Sequence, residues 1–161
     1  MGLRTSCALI AALLAALQAI AAATMFPVPP GARQPSHVVL QRGSAERDYF
    51  WLKAAYPATP ALDHYTKLFA EWLPCKPREQ SWRSFGDDQK GLFFHQLTRH
   101  WVSPDNKQAV SVLFQYTSPG SKPRSSPDSD NQFVSVMRHR VPDATAFFAE
   151  TEVECPKAPG Q

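Results

Sequence analysis

Four of the five histidines lie in predicted helices or strands and carry side chains suited to proton transfer or metal binding: His64, His95, His100 and His139. A metal site would need two or three of them to converge from different elements. His95 and His100 are an odd number of residues apart in one predicted strand, so they should point to opposite faces. His64 directly follows Asp63 in a predicted helix, where neighbours do not face each other. We therefore predict hydrogen-bonded or solvated histidines, with no metal and no cofactor.

The spacing of serines and carboxylates does not indicate catalysis either. The sequence has no Gly-x-Ser-x-Gly segment, which would place a serine on a sharp strand-to-helix turn. The carboxylates of Asp87 and Asp88 are adjacent, but they fall in a polar loop where solvation is expected. Residues 128–131, Asp-Ser-Asp-Asn, lack the glycine and the terminal glutamate of a calcium-binding loop. No catalytic residue is predicted from these patterns.

A disulfide between Cys75 and Cys155 is the covalent chemistry that the sequence predicts. The third cysteine, Cys7, lies in a segment that we expect to be removed as a signal. Exported proteins with an even number of cysteines usually pair them, and no histidine lies close enough in sequence to suggest zinc. The bond would close a loop of about 80 residues and stabilise the fold by about 4 kcal/mol.

A candidate binding surface combines arginine with tryptophan, two residue types that are enriched at binding hot spots. Arg138 and Arg140 alternate on one side of a predicted strand, and Arg99 and Trp101 alternate in the same way on another. Met137 lies on the opposite side from Arg138. If a helix covers the Met137 side of the sheet, the arginines emerge on the uncovered side. We predict that these four residues contact a protein partner or an anionic group.

One amphipathic helix is predicted at about residues 60–73. Thr59 is a suitable N-cap, and Pro60 suits the first helical position because its missing N–H would be unpaired there anyway. Apolar residues then recur every three or four positions, and Pro74 is expected to end the helix. A disulfide at Cys75 would therefore join the end of this helix to the carboxyl-terminal tail.

In much of the remaining sequence, apolar and polar residues alternate as they do in β-strands. The predicted strands are Asp48–Ala55, Ser81–Phe85, Leu92–Val102, Ala109–Thr117 and Gln132–Val141, and Asp143–Glu150 is predicted as a short helix. Ser103–Asn106 has turn residues between two strands, which predicts a hairpin. A helix with one apolar stripe must bury it against a sheet. We therefore expect an α+β fold, a two-layer sandwich of one helix on an antiparallel sheet of four to five strands.

The amino terminus predicts export. Residues 1–23 contain Arg4, an apolar stretch and then Ala21–Ala23, the order of a cleaved secretory signal. Residues 24–36 are rich in proline and are predicted to be an extended leader, followed by a single α+β domain at 37–157. We expect a periplasmic or secreted protein without a membrane span after cleavage.

The charge of the chain excludes a strongly basic protein. Lys and Arg number 17 and Asp and Glu 14, which gives a net charge of +3, and loss of Arg4 would reduce this to +2. Nucleic-acid-binding domains concentrate positive charge on one face, so we expect no nucleic-acid partner.

Three functional hypotheses follow. The first is a non-enzymatic binding protein of the cell envelope that acts by protein–protein contact, as an inhibitor, an immunity protein or an assembly factor. The second is a small hydrolase, which would require His95, His100 or His139 to meet a carboxylate in one cleft. The third is a carrier of small ligands. Its cavity would be lined by the aromatic residues Tyr49, Trp51, Phe93 and Trp101.

Overall fold

The fold is known from a computed structural model, which describes residues 24–40, 44–77, 82–87, 89–123, 131–151 and 153–157. The predicted signal segment 1–23 lies outside the described residues. In chain order the elements are β1 (Ala32–Leu40), β2 (Ala45–Leu52), α1 (Ala58–Leu68), β3 (Leu73–Pro77), β4 (Arg83–Asp87), β5 (Leu92–Val102), β6 (Gln108–Ser118), β7 (Gln132–Arg140), α2 (Ala144–Ala149) and β8 (Val153–Glu154).

Among the described residues, eight strands form one antiparallel sheet. Seven of them follow the order β1-β2-β7-β6-β5-β3-β8, and β4 pairs with β5 outside this order. The two long strands β5 and β6 are central and pair from Phe93 with Ser118 to Val102 with Ala109. The other edge of β5 is shared by two short strands, since β3 pairs with residues 100–102 and β4 with residues 92–96.

The predicted fold class is wrong. The described ranges form a mostly antiparallel sheet of eight strands with two short helices, whereas one helix on a sheet of four to five strands was predicted. The prediction missed β1, β3 and β8. The prolines of β1 and β3 interrupt the strand pattern in the sequence, whereas a structure tolerates proline on strands near the edge of a sheet. β8 has only two residues, too few to produce any periodicity.

Helix α1 is shorter than predicted and starts earlier. It begins at Ala58 with Pro57 as its N-cap, so Thr59 is not the cap, and it ends at Leu68 instead of residue 73. The apolar residues after Leu68 lie in tight turns that follow the helix. In one of these turns Trp72 donates its backbone N–H to the carbonyl of Phe69. Within the described residues, neither helix has the length and apolar character needed to cross a membrane.

One sheet face, which we call the helix face, carries the main core. The side chains of Leu62 and Tyr65 from α1 are fully buried against it. The strand residues of this core are Phe50, Leu52, Trp101, Val110, Val112, Phe114, Tyr116, Val134 and Val136. Because side chains alternate along a strand, the odd residues of β5 and the even residues of β6 and β7 belong to this face.

Residues from the predicted leader also join the core. Phe26 packs edge-on against Phe69, with 5.7 Å between ring centroids. The backbone N–H of Phe26 donates to the buried carboxylate of Asp48 at 2.7 Å. Residues 32–36, which the prediction assigned to the leader, are the first part of β1.

The opposite face carries a smaller core under α2. This helix packs Ala144 and Phe148 against Val102 and Ala109, at the turn between β5 and β6. Asn106 in that turn adopts a left-handed backbone conformation, with φ of 57°. The side-chain NH2 group of Asn106 donates to the carboxylate of Asp143 at 2.9 Å. The side-chain oxygen of Asn106, Oδ1, accepts from the backbone N–H of Thr145. The turn therefore fixes where α2 begins.

The structure joins Cys75 to Cys155 in a disulfide. Cys75 lies in β3 and not at the end of the helix, so the bond fastens the carboxyl-terminal tail to the sheet. The pair is surrounded by Val102, Phe148 and Val153. The disulfide and α2 therefore stabilise the same end of the sheet.

Reduction of this disulfide should destabilise the domain substantially. The bond spans 80 residues, and loss of the constraint on the unfolded chain should lower the free energy of unfolding by about 4 kcal/mol. The measurement is urea unfolding of the protein with and without reductant, with the double variant C75A/C155A as the reference for the reduced form. Equal midpoints in the oxidised and reduced states would contradict this prediction.

Candidate functional site

The four predicted binding residues lie on the helix face. Trp101 is 3% exposed and belongs to the main core. Helix α1 covers the side of β7 that carries Val134, Val136 and Arg138, which is the reverse of the arrangement considered from the sequence. Arg138 and Arg140 therefore do not project from the uncovered side.

Ion pairs engage the three arginines. Arg99 reaches α1, where its guanidinium lies 2.9 Å from the Asp63 carboxylate and 2.6 Å from the Thr66 hydroxyl. Arg138 and Arg140 share the carboxylate of Glu46 on β2 at 2.6 and 3.2 Å. The side chain of Arg140 is still 57% exposed. A binding role for these four residues stays a prediction.

Within the part of the chain that the structure describes, only α2 covers the opposite side of the sheet, and we call the surface beyond α2 the open face. It is formed by strands β2, β7, β6, β5 and β4, from β2 across to the edge strand. Its residues are Arg47, Tyr49, Trp51, Arg83, Phe85, Asp87, Leu92, Phe94, Gln96, Thr98, Leu113, Gln115, Thr117, Phe133 and Ser135. Most of these side chains are partly or largely exposed.

Aromatic side chains occur at both ends of the open face. On one side Trp51 is 40% exposed and packs edge-on against Phe133, 5.4 Å away, and Tyr49 contacts the same ring at 6.0 Å. On the other side Phe85 is 50% exposed and stacks on Phe94 at 5.4 Å. Large apolar groups left in water in this way cost free energy that binding of a partner would recover.

Polar groups lie between the two aromatic clusters. The side-chain amide of Gln96 donates to the Gln115 carbonyl at 2.6 Å. Arg83 pairs with Gln96 across the strands and continues the row. The guanidinium of Arg47, next to Tyr49, donates to the Tyr49 hydroxyl at 2.9 Å. The open face therefore combines aromatic rings, side-chain amides, two arginines and, at the end of β4, the carboxylate of Asp87.

No protein-family model, curated protein or solved structure matches this chain.

The structure separates the four aromatic residues of the ligand-carrier hypothesis. Tyr49 and Trp51 lie on the open face, whereas Phe93 and Trp101 lie on the helix face. Since the sheet stands between the two pairs, these residues do not line one cavity, and the structure gives the carrier hypothesis no support.

The histidines of the hydrolase hypothesis are also divided between the two faces. His95 is fully buried on the helix face, where its ring stacks on Tyr116 at 4.7 Å. His100 and His139 lie on the other face under α2, against Phe148 at 5.0 Å and Phe147 at 4.6 Å. The three rings therefore do not converge, and no group of three or more potential metal ligands occurs within the described residues.

Burial disfavours the charged form of the two histidines under α2. It lowers the pKa of His100 to about 4, with a smaller contribution from Arg83, and it lowers the pKa of His139 with help from Arg47. His100 Nδ1 is hydrogen-bonded to the Ser111 hydroxyl at 2.9 Å. A charged imidazole at His100 would lie against the Phe148 ring and lose part of its hydration.

The protein should lose stability as the pH falls from about 6.5 to 4. In this range the unfolded chain protonates His100 at its ordinary pKa of 6.5, whereas the folded state resists protonation until about pH 4. The loss attributable to His100 should be up to about 3 kcal/mol. The measurement is urea unfolding at several pH values for the wild type and H100Q. An equally steep pH dependence in H100Q would contradict the assignment to His100.

Proposed function

We propose that this chain is an exported binding protein of the cell envelope that acts by protein–protein contact through the open face. The observation that supports this proposal is the pair of aromatic clusters around Trp51 and Phe85 on an uncovered sheet face. Isolated exposed apolar residues are ordinary on protein surfaces, but several on one contiguous face are typical of interaction sites.

The composition of the open face favours a protein partner. Protein interfaces are enriched in tryptophan, tyrosine, phenylalanine and arginine, with apolar groups at the centre and polar groups around them. Trp51, Phe133 and Tyr49 form such a group, and Arg47 adds positive charge beside it. Arg83 adds a second positive charge at the opposite end of the face, on β4. The amides of Gln96 and Gln115 offer hydrogen bonds that a partner's backbone or side chains can complete.

The open face is better suited to this role than the four residues predicted from the sequence. Trp101 is buried and the guanidinium groups of Arg99 and Arg138 already have carboxylate partners. A partner that used them would first have to break these ion pairs. Trp51 and Phe85 are exposed without such a cost.

Truncation of Trp51 should weaken partner binding by about thirty-fold, because hot-spot aromatic residues contribute about 2 kcal/mol or more. The partner is isolated by affinity capture from a native envelope extract, and its Kd is then measured for the wild type, W51A and F85A. Leu68 on α1 is a matched control, since it is 42% exposed but belongs to the other side of the protein.

The outcome with L68A distinguishes a specific surface from general stickiness. Binding should be unchanged in L68A and weakened in W51A and F85A. Unchanged binding in both open-face variants, with loss in R138A/R140A, would move the interface to the helix face. If no partner is captured by the wild-type protein, the proposal of protein–protein contact is wrong.

A further inference from the structure

A hydrogen-bonded relay links Ser84, His95 and Gly120 at the edge of the helix face. Ser84 on β4 pairs with His95 across the strands, and its hydroxyl oxygen lies 2.8 Å from His95 Nδ1. On the other side of the ring, Nε2 lies 2.9 Å from the carbonyl oxygen of Gly120 and 2.8 Å from the Ser118 hydroxyl.

The Gly120 carbonyl fixes the direction of the relay. A carbonyl oxygen only accepts hydrogen bonds, so Nε2 must carry the hydrogen. In the neutral ring Nδ1 is then an acceptor, and the Ser84 hydroxyl is the donor to it. This is the arrangement of an activated nucleophile: a serine hydrogen-bonded to a base that a third group holds in place.

The burial of the relay suits nucleophilic chemistry. His95 is fully buried and is held against Tyr116, whereas Ser84 is exposed on its short strand. Trp82, two residues before Ser84, packs on the same Tyr116 ring at 5.5 Å. A reacting molecule could therefore reach the hydroxyl from solvent and lay an apolar group beside the indole.

We propose that Ser84 is a nucleophile for acyl transfer, with His95 as its general base and small esters of apolar carboxylic acids as substrates. This activity does not depend on the open face, since the relay lies on the opposite side of the sheet. Of the three histidines in the hydrolase hypothesis, only His95 combines an exposed serine with a backbone carbonyl that orients the ring.

The reaction proceeds in two balanced halves. Ser84 Oγ attacks the ester carbonyl carbon while its proton passes to His95 Nδ1, and the bond to the alcohol then breaks as the alcohol takes that proton. Water next attacks the acyl-serine, giving a proton to Nδ1, and Ser84 Oγ recovers the proton as the acid leaves. Among the described residues β4 pairs only with β5, so alternate backbone N–H groups of β4 point away from the sheet and are the donors available to the oxyanion.

A matched control pair exists elsewhere in the same sheet, between Ser111 on β6 and His100 on β5. Ser111 is also hydrogen-bonded to a histidine across the strands, His100, at 2.9 Å. That pair is covered by Phe148 of α2. Ser84 and Ser111 therefore share the contact with a histidine Nδ1, and of these two only Ser84 combines it with exposure and with a ring held by the Gly120 carbonyl. Ser118 contacts the other nitrogen, Nε2, which carries the hydrogen.

The experiment is covalent labelling of the purified protein with a fluorophosphonate probe, followed by mass spectrometry to locate the adduct. We expect one adduct, on Ser84, which is absent in S84A and unchanged in S111A. In H95Q labelling should be about a hundred-fold slower, because general-base assistance is lost. Hydrolysis of p-nitrophenyl butyrate should follow the same order and should protect Ser84 from the probe.

Circular dichroism and thermal unfolding establish that each variant is folded. If the buried substitution in H95Q prevents folding, the comparison of wild type with S84A decides alone, since Ser84 is exposed and its loss should leave the fold intact. The proposal is overturned if the wild type forms no adduct, if S84A is labelled or hydrolyses the ester as fast as the wild type, or if Ser111 is labelled equally.

Discussion

The pairing of β5 with β6 is the constraint on which the rest of the structure depends. Its register, from Phe93 with Ser118 to Val102 with Ala109, assigns every second side chain to the helix face and the others to the open face. A slip of one residue would place Val110, Val112 and Phe114 in solvent and the polar side chains of β6 in the core. The hairpin turn protects this register and, through Asn106, also sets the start of α2.

The parts of the fold that the sequence predicts well are those in which local chemistry and long-range packing agree. The bounds of β5 match the predicted Leu92–Val102, and Asp143 caps α2 by accepting from the N–H of Ala146. The prediction failed where pairing partners lie far away in the chain. Both β3 and β1 contain proline, and apolar and polar residues alternate little in them. They form strands because their backbones pair with those of β5 and β2.

The candidate surfaces show a second limit of the sequence. Alternation correctly separates Arg138 from Met137, but it does not reveal which of the two faces a helix will cover. That choice depends on the total apolar area, and Val110, Val112, Phe114, Val134 and Val136 make the side of Arg138 the more apolar one. The sequence also did not predict the contacts of Ser84 with His95 and of Trp51 with Phe133, because these residues meet through the register of the sheet.

The division of the sheet into a covered and an open face is the central claim, and hydroxyl-radical footprinting tests it most directly. Trp51, Phe85 and Leu92 should be oxidised rapidly in the native protein, whereas Trp101 and Phe114 should be protected until the chain unfolds. Comparable oxidation of Trp51 and Trp101 in the native state would contradict the assignment of faces, and with it the proposed binding surface.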